Sequence, residues 1–516
     1  MLTADLIFTG GRLMTCDRDR PEASAMAVRG GRIVCVGSDA QAEALAGPDT
    51  RRVPLGGRIV VPGFIDAHVH LFWYGRQMLT QADLVGCADV DEVLTRLGDL
   101  ARRRTRGWIQ GHGFDQSKLA ERRFPTRAEL DRVSRDRPIV ISRICGHAVV
   151  VNSAALAMLS EHQRAAGNAE TGLYTENAIN AFYAKAPPPD EQEMEEAILA
   201  ACRVALASGI TSVQTLLDTP DQMIGYSRLA RAGKLPIRVT AIPPVSCAAT
   251  LHAHGIRSGF GDDRLRFGAV KIFADGSLGA QTALLGEPYA DRPETRGLRI
   301  YPPPELNRLC AEAQGMGFSL AVHAIGDQAV RESLDAIEFA LDGADNLAHR
   351  HRIEHASVTP PDCLERLARR KIVVTAQPQF VTSDLWTPER LGPVRSRWAY
   401  PFRSMIEAGV PVALSSDCPV ERLDAFACLS SAVGRAPWSL EEALTPRQAI
   451  EAYCMGGAYA GSVEDRVGSL SEGKWADLAV LSGELADAGQ IAGLNAEAVY
   501  VGGVLAHGRE MDGRGT

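Results

Sequence analysis

Phe64-Ile65-Asp66-Ala67-His68-Val69-His70 is a short apolar run that ends in two histidines. Pro62-Gly63 precede it and Phe72-Trp73-Tyr74-Gly75 follow, so turn signals bound a single β-strand. Side chains alternate along a strand, so residues 68 and 70 face the same way. Both imidazoles reach one cation if the strand ends there. Two ordinary histidines on a half-exposed strand are the alternative, and only further ligands elsewhere in the chain decide between them.

Downstream of this strand, apolar runs and helical stretches alternate. The runs include Thr211–Thr215, Arg238–Ile242, Ala269–Phe273, Ser319–His323, Arg352–His355, Ile372–Thr375 and Val412–Ser415, and helical patterns such as Glu191 to Ser208 and Arg331 to Leu341 lie between them. This order predicts an α/β fold with parallel strands, and a (β/α)₈ TIM barrel over 63–465 fits it best. The stretch from about 80 to 200 is too long for one crossover and reads as an α/β insertion after the first barrel strand. Upstream, residues 1–62 are short strands punctuated by Gly10-Gly11 and Gly30-Gly31. The C-terminus returns to that character with Ala476–Leu481 and Val499–Leu505, each read as one extended segment. A small β-sandwich built from both termini, 1–62 plus 466–516, is expected beside the barrel.

A chain of 516 residues exceeds what one hydrophobic core usually serves. Lys and Arg number 55 against 63 Asp and Glu, and the resulting net charge of −8 offers no overall pull on nucleic acid. No uninterrupted apolar stretch reaches about 18 residues and the start lacks a leader pattern, so no membrane partner and a cytoplasmic location are expected. Eleven cysteines, scattered without a Cys-x-x-Cys pair, suit reduced thiols rather than a disulfide framework or a zinc ribbon.

In a (β/α)₈ barrel the chemistry is built at the C-terminal ends of the strands. Of twelve histidines, those that directly end an apolar strand are His68, His70, His323 and His355, and Asp417 ends a further strand. Four imidazoles and a carboxylate at equivalent positions make a mononuclear or binuclear site for Zn²⁺ or a similar borderline cation. Lys271 lies among apolar neighbours that would depress its pKa. As a neutral amine beside metal it would add CO₂ and become a bridging carbamate; a salt bridge to Asp275 or another carboxylate is the competing reading. His349-Arg-His351 precedes its strand and is expected to be structural, and His252-Ala-His254 reads as helix or loop.

Val61-Pro-Gly-Phe-Ile-Asp-Ala-His-Val-His70, Val270-Lys-Ile-Phe-Ala-Asp-Gly-Ser-Leu-Gly279, Val322-His-Ala-Ile-Gly-Asp327, His351-Arg-Ile-Glu-His355 and Ser415-Ser-Asp417 together resemble the amidohydrolase superfamily. More narrowly, the chain is similar to the amidohydrolase-3 group of metal-dependent hydrolases, close to the N-substituted formamide deformylases. The resemblance implies the barrel with its terminal β-sandwich and a site of His68, His70, Lys271, His323, His355 and Asp417. That site would hold one or two Zn²⁺ ions, with Mn²⁺ or Fe²⁺ as alternatives, and CO₂ as a carbamate on Lys271. Gly146-His147 with Asn152, and Gly172-Leu-Tyr-Thr-Glu176, resemble the group's insert, which borders the pocket.

The expected reaction is cleavage of a non-peptide amide C–N bond by metal-activated hydroxide, with Asp417 as proton shuttle. His147 is a candidate donor to the tetrahedral oxyanion, with a buried non-catalytic role as its alternative. Trp73, Phe114, Asn152 and Glu176 are candidate substrate contacts. Trp73 and Phe114, with Tyr74, Phe380 and Trp386, would line an apolar acyl or aryl pocket or else pack loops. Competing functions are deamination of an amino-heterocycle and ester or lactone hydrolysis at the same site, and, outside enzymes, a regulatory protein that retains the fold. The partner expected is a small-molecule substrate. Relatives of this kind bring a homodimer into view, which no surface feature in the sequence decides.

Overall fold

The computed structural model describes residues 3–143, 148–183, 185 and 188–509. The chain divides into two compact units, Met1–Leu71 with Ala201–Thr516, and Phe72–Ala200.

The parallel strands of the larger unit include, in chain order, β1 (Phe64–Val69), β2 (Ile210–Leu216), β3 (Arg238–Ile242), β4 (Val270–Phe273), β5 (Leu320–Ala324), β6 (Arg352–His355), β7 (Val373–Ala376) and β8 (Val412–Leu414). One sheet runs from β1 through β2 to β3 and a short strand, Leu265–Phe267; the other runs from β4 to β8. The register pairs Val213 with Asp66, Gln214 with Thr240, Lys271 with Ala321, His323 with Glu354, Arg352 with Val373 and Val374 with Val412. Two further contacts join the sheets. Lys271 N–H donates to Pro243 O at 2.8 Å, and beyond the end of β8 Asp417 N–H donates to His68 O at 2.9 Å.

These strands are buried on both faces, which is why most read as continuous apolar runs rather than alternating ones. Gly63 is required where β1 begins, because a Cβ there would lie 2.1 Å from Thr211 Oγ1 on β2. The helices between the strands follow ordinary stop signals. Asp327–Leu341 buries the stripe Val330, Leu334, Ile337 and Leu341 and ends at Asp342 in the left-handed region, φ 46°. Pro361–Arg370 opens on proline, carries Arg369 and Arg370 in its last turn, and ends at Lys371, φ 54°.

The terminal strands of the same unit form two sheets. A six-stranded sheet mixes both termini in the order Val504–Gly508, Ala496–Val501, Leu478–Leu481, Ile59–Pro62, Arg12–Met14 and Glu22–Ala23. A four-stranded sheet holds Arg32–Gly37, Ala25–Arg29, Ala4–Thr9 and Ala46–Pro54. They share one core, in which Phe8, Met26 and Val28 from the second meet Leu13, Val60, Val480 and Tyr500 from the first. Val499–Leu505, expected as one extended segment, is instead a hairpin. Gly502 and Gly503 adopt φ 60° and 73°, a turn that only glycine makes cheaply and that reverses the chain.

The smaller unit is a five-stranded mixed sheet in the order Leu173–Thr175, Ala148–Val151, Ile139–Arg143, Ile109–Phe114 and Gln81–Asp83. Its core combines Leu84, Val93, Leu97, Ile109, Phe114 and Ile141. Helix Arg127–Val133 starts with a capping box between Thr126 and Glu129, the two-way bond that satisfies the first free N–H groups of a helix. Among the described residues no helix is long and apolar enough to cross a membrane.

Candidate metal centre

His68 is the last residue but one of β1, and His70 directly follows the strand. The ligand atoms of His68, His70 and Asp417 all lie within 4.8 Å of one another. Asp417 Oδ1 stands 3.3 Å from His68 Nε2 and 3.6 Å from His70 Nε2. The turn after β8 is held against β1 from several directions: His70 N–H donates to Cys418 O at 2.8 Å, and Ser416 N–H donates to the buried Asp66 carboxylate at 3.1 Å. Asp417 adopts φ 56° and His355 φ 74°. Both are left-handed conformations that a side chain-bearing residue occupies at a cost, as is found at functional sites.

Neighbouring rings extend the group across β1, β6 and β5. Ring centroids are 5.9 Å apart for His68 and His70, 4.9 Å for His68 and His355, and 4.5 Å for His355 and His323. Lys271 is buried beneath the Phe273 ring, 4.8 Å from its centroid, and burial pushes its ammonium down to about 8. Asp275, one partner named for a Lys271 salt bridge, is engaged elsewhere. It accepts the backbone N–H groups of Leu284, Ile325 and Gly326 at 2.8, 3.0 and 2.9 Å, and among the described residues no ion pair joins it to Lys271.

The hydrogen bonds decide which nitrogen each imidazole presents. Gln377 Nε2 donates to Thr375 O and Ser415 Oγ, so its Oε1 is an acceptor and takes His355 Nδ1–H at 2.8 Å, leaving Nε2 bare. His70 Nδ1–H donates to Asp218 at 3.0 Å, and His68 Nδ1–H donates to Glu354. His323 is reversed: its Nε2–H donates to Gly276 O at 3.0 Å and Nδ1 is free to ligate. Burial pushes His355 down to about 3 and His323 well below its ordinary value, so both are neutral ligands near pH 7. Burial alone would raise Asp417, but His68 and the other nearby imidazoles hold its carboxyl well below the usual carboxylate range. Imidazole nitrogens with a carboxylate oxygen, each ring oriented by an outer partner, are a donor set that fits Zn²⁺, Mn²⁺ or Fe²⁺.

The remaining candidates fall elsewhere. Phe114 is fully buried, edge-on to Phe124 at 6.0 Å, so it has no surface to offer a substrate. Asn152 is also spent: its side chain accepts from Ile139 and Ala155 N–H and donates to Ser134 and Arg137 carbonyls. Neither is carried forward as a substrate contact, because packing and capping consume them. Trp73, in helix Leu71–Thr80, is 41% exposed. Glu176 opens the short 3₁₀ turn Glu176–Ile179, and His147 lies outside the described residues. Of the other aromatics, Phe380 stands 6.4 Å from His355 and Trp386 lies under Arg390.

His351 spends both nitrogens inside the fold, accepting Leu320 N–H on Nδ1 and donating from Nε2 to Gln314. Sequence reasoning missed the orienting residues Glu354, Gln377 and Asp218 and the exposed ring of Phe273, which faces His323 at 5.1 Å. Each lies at or just beyond a strand end, so the rule that located the histidines could have found them had it been applied to every residue there.

Comparison with known proteins gives concordant matches. The sequence pattern described as "Amidohydrolase family" matches residues 53–507. An N-substituted formamide deformylase from Arthrobacter pascens is 30% identical over 98% of this chain and 98% of its own. The Arabidopsis thaliana protein LONG AFTER FAR-RED 3 is 32% identical over 93% of this chain and 88% of its own. The crystal structure of an uncharacterized metal-dependent hydrolase from Pyrococcus furiosus superposes with a TM-score of 0.82 at 30% identity, covering 93% of this chain and 99% of that one.

Proposed function

The chain belongs to the amidohydrolase family, and from that premise we propose that it is a metal-dependent hydrolase that cleaves a non-peptide amide C–N bond, releasing an acid and an amine. The observation that carries the proposal is the grouping of His68, His70 and Asp417, whose ligand atoms lie within 4.8 Å of one another, with the rings of His355 and His323 alongside them; Lys271, buried beside Phe273, supports the same reading. The scaffold belongs to the same reading. The eight parallel strands are taken as one (β/α)₈ barrel over 63–465, supported by the two contacts that join the sheets, with residues 1–62 and 466–516 as a β-sandwich.

His68, His70 and Asp417 would hold one divalent cation, and His323 and His355 a second, with Lys271 as a further ligand once carboxylated. When bound, such a cation lowers the pKa of water and polarises a carbonyl oxygen. The chain's own residues do the rest. The neutral Nζ of Lys271 adds CO₂, forming one N–C bond and releasing one proton. Asp417, ionised and beside two imidazoles, takes a proton as water adds to the substrate carbonyl and returns it to the departing nitrogen. Phe273 and Phe380, against His323 and His355, supply apolar surface for the acyl or amine substituent.

A panel of N-formyl, N-acyl and cyclic amides with matched esters, offered to zinc- and manganese-loaded protein, tests the proposal. Acid plus amine from an amide, lost in Asp417→Asn, is expected. Ammonia release from an amino-heterocycle with no amide turned over would overturn it.

A further inference from the structure

Arg352 and Glu354 are two residues apart on β6, so they share a face, and both are buried, at 1% and 0% exposed. Inward positions of parallel barrel strands are ordinarily filled by branched apolar side chains, and desolvating an ion pair is a costly way to fill space. Its partners show what the pair is arranged around. Arg352 Nε donates to Glu354 Oε1 at 2.5 Å, while its other nitrogens donate to Gln214 and, at 3.2 Å, to Ala67 O. Glu354 Oε2 accepts the Thr375 hydroxyl and His68 Nδ1–H. The carboxylate is thus fixed by groups on β1, β6 and β7, with β2 holding Arg352 in turn, and the oxygen away from Arg352 is shared between the Thr375 hydroxyl and one ligand imidazole.

The three ligand rings held through Nδ1 are not treated alike. His355 has the neutral Gln377, and His70 has Asp218, whose side chain is 38% exposed. Only His68 faces a wholly buried carboxylate, and that carboxylate is itself held by Arg352. We propose that Glu354 is the positioning residue of the metal centre. It touches neither cation nor substrate, but by fixing the His68 tautomer and ring angle it sets how tightly His68, His70 and Asp417 bind a divalent cation. This rests on the metal-centre reading above.

The test uses the full chain and Co²⁺ alone, with affinity from chelator competition and ligand geometry from the visible Co²⁺ spectrum. Glu354→Gln keeps the shape and removes the charge; its Kd for Co²⁺ is expected to rise about 10–100-fold, the usual penalty for losing an outer-shell partner, with an altered spectrum. Should the unpaired Arg352 prevent folding, the double substitution Glu354→Gln with Arg352→Gln leaves a neutral pair and the same expected loss. A folded variant that binds Co²⁺ within about twofold of the parent with an unchanged spectrum overturns the proposal, since a merely structural Glu354 would lower only the melting temperature. The two readings fail differently: a parent protein that binds no Co²⁺, or binds it equally well with His68→Ala and His70→Ala combined, sinks the metal centre itself.

Discussion

Asp417→Asn separates proton transfer from folding and from metal retention. Asparagine has nearly the same volume and, like aspartate, tolerates the left-handed backbone that Asp417 adopts at φ 56°; the bond from residue 417 N–H to His68 O does not involve the side chain. The fold should therefore survive. What changes is the carboxylate oxygen 3.3 Å from His68 Nε2 and 3.6 Å from His70 Nε2, which becomes a neutral amide that cannot accept and return a proton. Losing a positioned general acid–base costs about 10²–10⁴-fold in turnover, or about 3–5 kcal/mol of barrier. The cation keeps its imidazole ligands, so excess Zn²⁺ or Mn²⁺ should still load the site. The assay is kcat on the best amide substrate, with metal content measured by elemental analysis on the same gel-filtered sample and the melting temperature as the folding control. A variant that holds its metal, melts like the parent and keeps more than a few per cent of kcat refutes Asp417 as the shuttle.

Lys271 offers a chemical signature: protein equilibrated with ¹³C-bicarbonate should show a carbamate carbon resonance that Lys271→Ala lacks, and its absence in metal-loaded parent protein removes the carbamate from the scheme. Asp477, which precedes strand Leu478–Leu481, binds Arg238 of β3 through two bonds of 2.6 and 2.9 Å and also accepts Gly502 N–H at 2.7 Å, all but out of solvent. Uncovering one partner of such a pair costs about 3–5 kcal/mol, so Asp477→Asn should lower urea stability by that order while Arg238→Met with Asp477→Leu recovers most of it; a single-variant loss under about 1 kcal/mol contradicts this. Glu129, bonded first to Arg123 and also to Thr126, is lowered from its ordinary 4.5 to about 2. A depressed carboxylate stabilises above its unfolded value and loses that contribution as pH falls toward its folded one. The melting difference between parent and Glu129→Gln should thus be full near neutrality and shrink between about pH 4.5 and 2; a difference that grows in that window reverses the sign of the reasoning.

Most of what locates the site is written in short stretches. Apolar runs that end in His68, His323 and His355 are legible because strand periodicity is local. The rule that barrel chemistry sits at strand ends then picked these residues, with Asp417, out of many titratable groups, and Lys271 stood out by its apolar neighbours. Glycine and proline marked most element ends for the same reason. The pair Gly502-Gly503 was passed over inside an apolar run whose neighbours looked continuous, and Phe114 and Asn152 were offered to a substrate because a sequence does not show which side chains the core and the helix caps consume.

By itself, then, the sequence determined the alternating α/β architecture, the candidate ligands His68, His70 and Asp417 that the fold groups together, and the family. Tertiary structure alone decided which nitrogen each histidine presents, and that Glu354, 286 residues from His68 in the chain, is the group that orients it. The physical reason is range. Periodicity and turn chemistry depend on a few neighbouring residues, whereas a buried hydrogen bond between β1 and β6 exists only once strands far apart in sequence have found their register.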